Sequence, residues 1–470
     1  MKIGLAQTRY KTGNFQFNFE QIIEQIENTD CDLLIFPECN IDSLGGKDLA
    51  YDEKCCNEQT NFYNLLASKK IDKAILLGDV LIHEGEIKES DNGFFIIYGK
   101  NVYVNSIYRD DVICDLYVLA KNKYFVKDDY FEFIDSIHTR NNFVYVNTVC
   151  MADENIFAGN SFAKNKENEL VKLMPLCESA CELINFDSPI TYPKRSMEEN
   201  IYKVITYALK EYCENTKINK VILGLSGGID SALVATLATD AIGCENVLGI
   251  LMPSMYSSQG SITDSIELAH NLGIKTEKHS ITPLFENFME KIAHEKNGSL
   301  AEENLQARLR ALILMFFSNR DGSLLLTTSN KSESAMGFGT LYGDLAGGLN
   351  IICDLTKTNV YKLSNYINRN GEIIPQAIID KAPSAELRPN QKDQDRLPPY
   401  EILDDIIEMY LEQNKSFEEM YAKYDKAIVD DIIKKIYRFQ YKRKQCCLGV
   451  RLSERSFAKG VELPILQGFY

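Results

Sequence analysis

The clearest chemical pattern in the chain lies between an apolar run that ends at Leu223 and another that starts at Ala232. Two adjacent glycines in this segment let the backbone turn sharply and approach a ligand closely. A helix that begins directly afterwards adds unpaired backbone N–H groups and the positive end of its dipole, and both favour an anion. The candidate ligand residues are Gly224, Ser226, Gly227, Gly228, Asp230 and Ser231.

Asp230 is unusual beside a phosphate, because both groups are negatively charged. A carboxylate there is explained if it holds Mg²⁺, which prefers oxygen ligands and shares them with substrate phosphates. The Lys-Ser/Thr pair that closes a Walker-type loop is missing. The segment instead resembles the Ser-Gly-Gly-x-Asp-Ser loop of the N-type ATP pyrophosphatases, which implies cleavage of ATP between the α and β phosphates. The structural alternative is a glycine-rich turn without a ligand.

Segments later in the chain resemble the glutamine-dependent NAD synthetases. The matching segments are 252–258, 302–308, 328–333, 340–344, 383–387, 391–400, 441–445 and 455–457. The family's Thr-Gly-Asn-Lys-Ser-Glu is matched at 328–333 with one change, Ser329 in place of glycine. The resemblance implies a ligase that uses ATP to amidate nicotinic acid adenine dinucleotide (deamido-NAD) to NAD, releasing AMP and pyrophosphate.

This reaction is chemically reasonable without a covalent nucleophile on the protein. A carboxylate is a poor electrophile, and adenylation gives it AMP as a leaving group that ammonia can displace. Catalysis then consists of positioning and charge neutralisation. Two alternatives remain: another N-type pyrophosphatase, such as a GMP-forming or tRNA-modifying enzyme, and a non-catalytic nucleotide-binding regulator. The 302–308 and 328–333 segments count against the first alternative, and the paired acids Asp230 and Glu333 count against the second.

The resemblance also implies a role for individual polar residues. Asp230 and Glu333 are the expected Mg²⁺ ligands, and with Lys357 they form the expected catalytic group. The expected ATP contacts outside the glycine loop are Thr328, Lys357 and Ser384. The expected substrate contacts are Asn304, Arg308, Glu333, Asp344 and Lys442. For each residue the alternative is a solvated polar side chain on a helix, at a strand end or on a basic face.

A change in composition predicts two domains. Residues 187–195 contain two prolines close together and form the predicted linker. Before it, residues 1–186 alternate between strand and helix patterns. After it, residues 196–470 show apolar strands separated by helices, which is typical of a parallel sheet covered on both faces. The alternation predicts an α/β protein whose second domain has a doubly wound parallel sheet. The resemblance to the ATP pyrophosphatases implies their fold for that second domain, and a separate resemblance, carried by the residues described next, implies a truncated nitrilase-like α-β-β-α domain before it.

Residues 1–186 resemble the nitrilase-type glutaminase domain that supplies ammonia to these synthetases, through segments 36–38, 146–148 and 159–162. Such a domain uses a glutamate base, a lysine that stabilises the oxyanion and a cysteine nucleophile. Glu38 stands at the glutamate position, but the segment that carries the lysine and the cysteine is missing. Cys114 resembles the nucleophile only superficially and is more typical of a buried structural cysteine. We expect ammonia to be the direct nitrogen source; a residual glutaminase or a separate glutaminase partner is the alternative.

The bulk properties narrow the choice of partners and location. The net charge is −16 and the pI about 5.0, which argues against nucleic acid and membrane surfaces as partners, because both attract clustered positive charge. Residues 1–7 indicate a short strand rather than a signal peptide. The 13 cysteines then indicate reduced thiols. We predict a cytoplasmic enzyme that forms a homo-oligomer through its synthetase domain.

Overall fold

The computed structural model describes residues 1–69, 71–127, 130–192, 194–294, 298–389 and 391–470. The chain divides into two compact units, Met1–Val204 and Ile205–Tyr470. The predicted linker, 187–195, precedes this division, and its Pro193 lies outside the described residues. The boundaries 1–186 and 196–470 stay predictions. Every described helix is too short or too polar to cross a membrane.

The first unit alternates strands with a few helices. In chain order its elements are β1 (Ile3–Gln7), α1 (Phe15–Asn28), β2 (Leu33–Phe36), α2 (Glu53–Ser68), β3 (Ala74–Leu77), β4 (Val80–His83), β5 (Glu86–Lys88), β6 (Phe94–Ile97), β7 (Lys100–Asn105), β8 (Leu116–Ala120), α3 (Tyr130–Ser136), β9 (Asn142–Val146), β10 (Val149–Ala152), β11 (Asn155–Ala158), β12 (Phe162–Lys164), β13 (Leu170–Leu173) and β14 (Ala180–Ile184). Two six-stranded sheets result, with the orders β14-β1-β2-β3-β4-β5 and β13-β12-β9-β8-β7-β6.

The strands of both sheets are continuously apolar because both of their faces are covered. On β2, Ile35 lies in the core between the two sheets, whereas the next residue, Phe36, packs on the side of α1 and α2. On β8, Val118 joins the same inter-sheet core, and Tyr117 packs with Ile134 of α3 on the other face. This α-β-β-α layering confirms the predicted fold of the N-terminal region.

The connection between β7 and β8 is unusually short for its topology. β8 pairs in parallel with both β7 and β9. A parallel pair ordinarily needs a crossover of about a dozen residues or more, often with a helix. Here residues 106–115 make the connection without one. Cys114 lies in this connection, before β8 begins, whereas Lys121 and Asn122 follow the opposite end of the strand.

Parallel strands and helices build the second unit. Its elements are α4 (Met197–Thr216), which contains the division between units, then β15 (Val221–Gly224), α5 (Ile229–Ile242), β16 (Val247–Leu251), α6 (Gln259–Leu272), β17 (Lys275–Lys278), α7 (Thr282–Phe288), α8 (Leu300–Asp321), β18 (Leu324–Leu325), α9 (Lys331–Met336), β19 (Leu349–Asn350), α10 (Lys357–Ile367), α11 (Gln376–Asp380), α12 (Tyr400–Ile407), α13 (Phe417–Lys423), α14 (Lys426–Arg438), α15 (Gln440–Arg443) and β20 (Leu448–Gly449).

The central sheet of this unit has the order β17-β16-β15-β18, and all its strands are parallel. After β15 the chain adds β16 and then β17 on one side of it, and β18 pairs with β15 on the other side. Ligands of open α/β sheets bind beyond the carboxyl ends of the strands, where the strand order reverses. Gly224 ends β15 and Leu325 ends β18, so the loops that follow them start side by side. The doubly wound prediction is confirmed.

Candidate active site

A cleft of about 410 Å³ opens at the carboxyl ends of β15 and β18. Its walls include each ATP contact expected from the sequence: Gly224, Ser226, Gly227, Gly228, Asp230, Ser231, Thr328, Lys357 and Ser384. They also include most of the expected substrate contacts: Asn304, Glu333, Asp344 and Lys442. The structure thus gathers residues from distant parts of the sequence at one place. Their individual roles stay predictions.

The glycine loop is shaped for close backbone approach. Gly227 has a φ of +72°, and a Cβ added there would lie 2.4 Å from the backbone oxygen of Ser261. Glycine is therefore required for both conformation and space. The Ser226 hydroxyl accepts a hydrogen bond from the Gly228 N–H at 3.2 Å, which fixes the turn. Helix α5 then begins without a side-chain cap, and the residues of its first turn line the cleft, an arrangement that suits an anion.

An acid–lysine cluster, consisting of Asp230, Glu333 and Lys357, lies next to this loop. The Lys357 ammonium is 2% exposed; it contacts the Asp230 carboxylate and lies 3.3 Å from Glu333 Oε1. Burial alone lowers the pKa of Lys357, but the two carboxylates raise it above its ordinary value. Burial and the charge of Asp230 raise the pKa of Glu333 to about 8. The cluster therefore holds two acids and one cation in a poorly solvated position.

Asn330 connects the two acids of the cluster. Its side-chain oxygen accepts from the Glu333 N–H at 2.9 Å and caps α9, while the Glu333 side chain reaches back toward the Asn330 N–H. Its side-chain amide donates to Asp230 Oδ1, also at 2.9 Å. A local helix cap therefore fixes the orientation of Glu333 and ties it to a residue a hundred positions earlier.

Lys331 belongs to the same matched segment, 328–333, but its side chain is buried outside the cleft lining. Its fully buried ammonium donates to Asp354 at 2.8 Å, to Glu412 at 2.6 Å and to the Ser453 hydroxyl at 3.1 Å. These bonds lie on the core side of α9, away from the cleft lining. Lys331 thus anchors the helix that carries Glu333, and the buried charge is satisfied by paired carboxylates.

The donor set fits a magnesium ion that arrives with a nucleotide. The Asp230 and Glu333 carboxylates both approach the Lys357 ammonium, which offsets part of their charge. Among the described residues, no group of three or more His, Cys, Asp or Glu side chains is arranged to hold a metal alone. Mg²⁺ commonly takes only one or two carboxylates and completes its shell with phosphate oxygens and waters.

The expected substrate residues Asn304, Asp344 and Lys442 surround the turn at Thr340. The Thr340 hydroxyl donates to Asn304 Oδ1 at 2.8 Å, and the Thr340 N–H donates to Asp344 Oδ1 at 2.9 Å. The Lys442 ammonium donates to the carbonyls of Gly337 and Gly339 at 2.8 and 2.7 Å. Burial raises the pKa of Asp344 and lowers the pKa of Lys442. These side chains form a preorganised polar wall.

Arg308 is placed differently from the expectation. It is exposed, and its Nε donates to the Leu341 carbonyl at 3.2 Å, outside the cleft lining. Arg310 lines the cleft instead, where burial lowers its pKa to about 10. Two residues along a helix rotate a side chain by about 200°, so the two arginines lie on opposite faces of α8. The buried positions Glu303 and Ala307 mark the cleft-facing side, a signal already present in the helix periodicity.

Sequence reasoning did not identify two acids of the cleft wall, Glu386 and Asp393. Glu386 accepts hydrogen bonds from the hydroxyls of Ser258 at 2.9 Å and Ser261 at 2.7 Å, which join this segment to the start of α6. Asp393 is buried, and one of its oxygens accepts from the Tyr400 hydroxyl at 2.8 Å. Both acids line the cleft. The Glu386 pairings are long-range, and the only sequence signal for either acid is its membership of the matched segments 383–387 and 391–400.

In the first unit Glu38 follows β2 and is half-buried. The turn after β3 covers it, since a Cβ on Gly78 would lie 2.8 Å from Glu38 Cγ. The Asn122 amide donates to the Glu38 carbonyl at 2.9 Å. Burial and the nearby Asp79 raise the pKa of the Glu38 carboxyl to about 7, and Lys121 opposes this shift. Glu38 therefore sits at the carboxyl end of β8.

Cys114 lies at the other end of β8. A strand rises about 3.3 Å per residue, so β8 separates Cys114 from Lys121 by roughly 20 Å. Burial raises the pKa of the Cys114 thiol to about 11, which leaves little thiolate at neutral pH. The structure therefore does not bring Cys114 to Glu38.

A glycine loop between a parallel strand and a helix, with an acid–lysine cluster at the point where strand order reverses, defines a nucleotide-binding α/β protein. The sequence profile of the NAD synthase family matches residues 201–446. A glutamine-dependent NAD(+) synthetase of Acinetobacter baylyi is 32% identical over 538 aligned positions, covering 100% of this chain and 98% of that protein. The chain belongs to the NAD synthase family, as its resemblance predicted.

Further glutamine-dependent NAD(+) synthetases are also similar to this chain. A glutamine-dependent NAD(+) synthetase of Thermotoga maritima is 46% identical over 287 residues, a match that spans 60% of this chain and only 50% of that protein. The solved structure of a glutamine-dependent NAD+ synthetase from Acinetobacter baumannii in complex with ADP has a TM-score of 0.73 and 28% identity, covering 99% of this chain and 98% of that one. The enzyme from Cytophaga hutchinsonii, at TM-score 0.83 and 17% identity, shares the fold.

Proposed function

We propose that this chain is an NAD synthetase that amidates deamido-NAD at the expense of ATP. The observation that carries the proposal is the acid–lysine cluster of Asp230, Glu333 and Lys357 beside the Gly227 loop. Uncapped N–H groups and a buried cation are the groups that a polyphosphate requires, and the two acids suit its accompanying metal ion.

The proposed reaction has two steps. A carboxylate oxygen of deamido-NAD attacks the α-phosphorus of ATP, and pyrophosphate leaves against the N–H groups at the start of α5. Ammonia then attacks the acyl carbon of the adenylate, AMP leaves, and the nitrogen loses a proton as the amide forms. Lys357 offsets the negative charge on the phosphates, and the rigid turn around Thr340 holds the substrate. Mg²⁺, held by Asp230 and Glu333, would supply further charge neutralisation at the phosphates.

We further propose that free ammonia is the direct nitrogen source. A glutaminase needs a nucleophile, a base and an oxyanion donor within reach of one another. Glu38 has Asp79 and Lys121 as its charged neighbours, and Cys114 lies at the far end of β8. The alternative is glutamine use through a residual site or a separate glutaminase. It is favoured by the similarity of this chain to glutamine-dependent NAD(+) synthetases. A non-catalytic nucleotide-binding regulator is the remaining alternative.

A homo-oligomer through the second unit is part of the proposal. On α8, Leu312 and Phe316 are 64% and 61% exposed, one helical turn apart and on the same face as Arg308. An exposed apolar stripe on a helix is typical of a protein interface. A second copy bound there would cover Arg308. A cytoplasmic location stays an expectation from the sequence.

The test is an assay of purified protein with deamido-NAD, ATP and Mg²⁺, supplied with ammonium or glutamine. We expect NAD, AMP and pyrophosphate in equal amounts with ammonium. Formation of ADP and phosphate would contradict the reaction. Retained ATP binding without turnover would favour the regulator. NAD formation from glutamine alone would favour the glutamine-dependent alternative.

A further inference from the structure

Ser329 carries an unused hydroxyl in the wall of the cleft. The residue follows β18, lines the cleft beside Thr328 and is 5% exposed. Its side-chain oxygen is buried and has no hydrogen-bond partner among the described residues. Buried hydroxyls nearly always have a partner, because leaving one unpaired forfeits its hydration without replacement. Because Ser329 also lines the cleft, a molecule bound there can supply the missing partner.

The backbone around Ser329 is fixed from both sides. Its carbonyl oxygen accepts from the buried Asn350 amide at 2.8 Å. The next residue, Asn330, caps α9 and donates to Asp230. Ser329 is thus held between the expected ATP contact Thr328 and the acid–lysine cluster.

The motif that segment 328–333 resembles has glycine at this position, and Ser329 offers a hydroxyl there instead. The location beside Asp230 and Lys357 is where the proposed function puts the phosphates of ATP. Those phosphates offer only acceptor oxygens, and a serine hydroxyl is a donor that matches them. We propose that the Ser329 hydroxyl donates a hydrogen bond to a phosphoryl oxygen of a nucleoside phosphate bound in the cleft, an inference that rests on the proposed function.

A physical alternative is that the added side chain only narrows the cleft. The two explanations predict opposite results for shortening the residue. If the hydroxyl binds, Ser329→Ala and Ser329→Gly both weaken nucleotide binding. If the side chain obstructs, Ser329→Ala resembles wild type and Ser329→Gly binds more tightly.

Ser323 provides a matched control. Its side-chain oxygen is also buried without a partner among the described residues, but it precedes β18 at the amino end of the sheet and is not part of the cleft lining. Ser323→Ala therefore removes an equivalent hydroxyl away from the nucleotide. Thermal unfolding of each variant would verify that the fold is retained.

The experiment is isothermal titration of ATP, AMP and adenosine, with Mg²⁺ present, into wild type and the Ser329→Ala, Ser329→Gly and Ser323→Ala variants. Loss of one hydrogen bond to a charged acceptor should raise the Kd of ATP and AMP about tenfold in both Ser329 variants. The Kd of adenosine, and all constants of Ser323→Ala, should not change. Three results would overturn the inference. The Kd of ATP could be the same for wild type and Ser329→Ala, or lower for Ser329→Gly than for wild type. The Kd of adenosine could also rise as much as that of ATP in the Ser329 variants. Failure of wild type to bind ATP would instead refute the proposed function.

Discussion

The side-chain ammonium of Lys357 contacts the carboxylate of Asp230, although the two residues lie 127 positions apart in the chain. Lys357 begins α10 and Asp230 lies in the first turn of α5, so the contact brings two helix starts together. The cation compensates for charge that would otherwise be buried next to Glu333. Loss of the Lys357 ammonium would leave this charge uncompensated.

Replacement of Lys357 by methionine should impair both stability and turnover. Without the ammonium, two carboxylates remain close together and poorly solvated, which should lower the free energy of unfolding by up to about 3 kcal/mol. Mg²⁺ should restore part of this loss, because it can take the place of the cation. Thermal unfolding with and without Mg²⁺ checks the prediction. Equal effects of Mg²⁺ on wild type and variant would contradict it.

Replacement of Asp230 or Glu333 by alanine should lower turnover by about 10²–10³-fold or more, because a charge clamp on the reacting phosphate is lost. The rate of NAD formation with saturating ammonium is the measurement. Glu267→Ala, at an exposed acid of α6 outside the cleft lining, is the control and should retain the wild-type rate. Near-normal turnover in either cluster variant would rule out the assigned role.

Gly227→Ala should abolish measurable ATP binding. The substitution forces an alanine to a φ of +72° and brings its Cβ against the backbone of Ser261. Gly322→Ala is a matched control, since Gly322 has a φ of +60° but nothing within 4 Å of an added Cβ. The control should show only the backbone strain, about 1 kcal/mol of unfolding free energy. ATP titration and thermal unfolding together separate the two effects, and unchanged binding by Gly227→Ala would count against the loop as a phosphate site.

Glu38 should make the protein's stability depend on pH. Its folded pKa of about 7 is above the ordinary value of 4.5, so its contribution to stability is fully present below pH 4.5 and is lost as pH rises through 7. Glu38→Gln removes this titration and should stabilise the protein, relative to wild type, by about 1–3 kcal/mol more at pH 8.5 than at low pH. The measurement is the free energy of unfolding of wild type and Glu38→Gln across this pH range. If the Glu38 carboxyl were solvated, the difference between the two proteins would not change with pH.

Glutamine should not replace ammonium, and Cys114→Ala should leave ammonium-driven NAD synthesis unchanged. The reason is the separation of Cys114 from Glu38 along β8. Release of glutamate from glutamine, measured beside NAD formation, is the decisive quantity. Glutamine hydrolysis that disappears in Cys114→Ala would show that the short domain is a working glutaminase. Glutamine use only after addition of a second protein would indicate a separate glutaminase partner.

Local patterns made the glycine loop predictable, because the strand, the turn and the helix around Gly227 are contiguous in sequence. The pairing of β15 with β18 was not predictable from either strand, yet it places Thr328 beside that loop. Arg308 was predicted because its segment resembles the family's substrate helix. Which side of that helix faces the cleft depends on how the helix packs, and in the structure this side carries Arg310. Glu386 and Asp393 depend on a fold-back of the chain that periodicity does not encode.

The short crossover between β7 and β8 also limits where a nucleophile for glutamine could be placed in the first unit. Residues 106–115 link two strands that already hydrogen-bond to each other in parallel. A nucleophile introduced into this connection would lie, like Cys114, at the end of β8 opposite Glu38. Inserting a further strand between β7 and β8 would require their hydrogen-bonded ladder to separate. The strand order itself therefore keeps the crossover apart from Glu38, and substitutions of single residues leave that order unchanged.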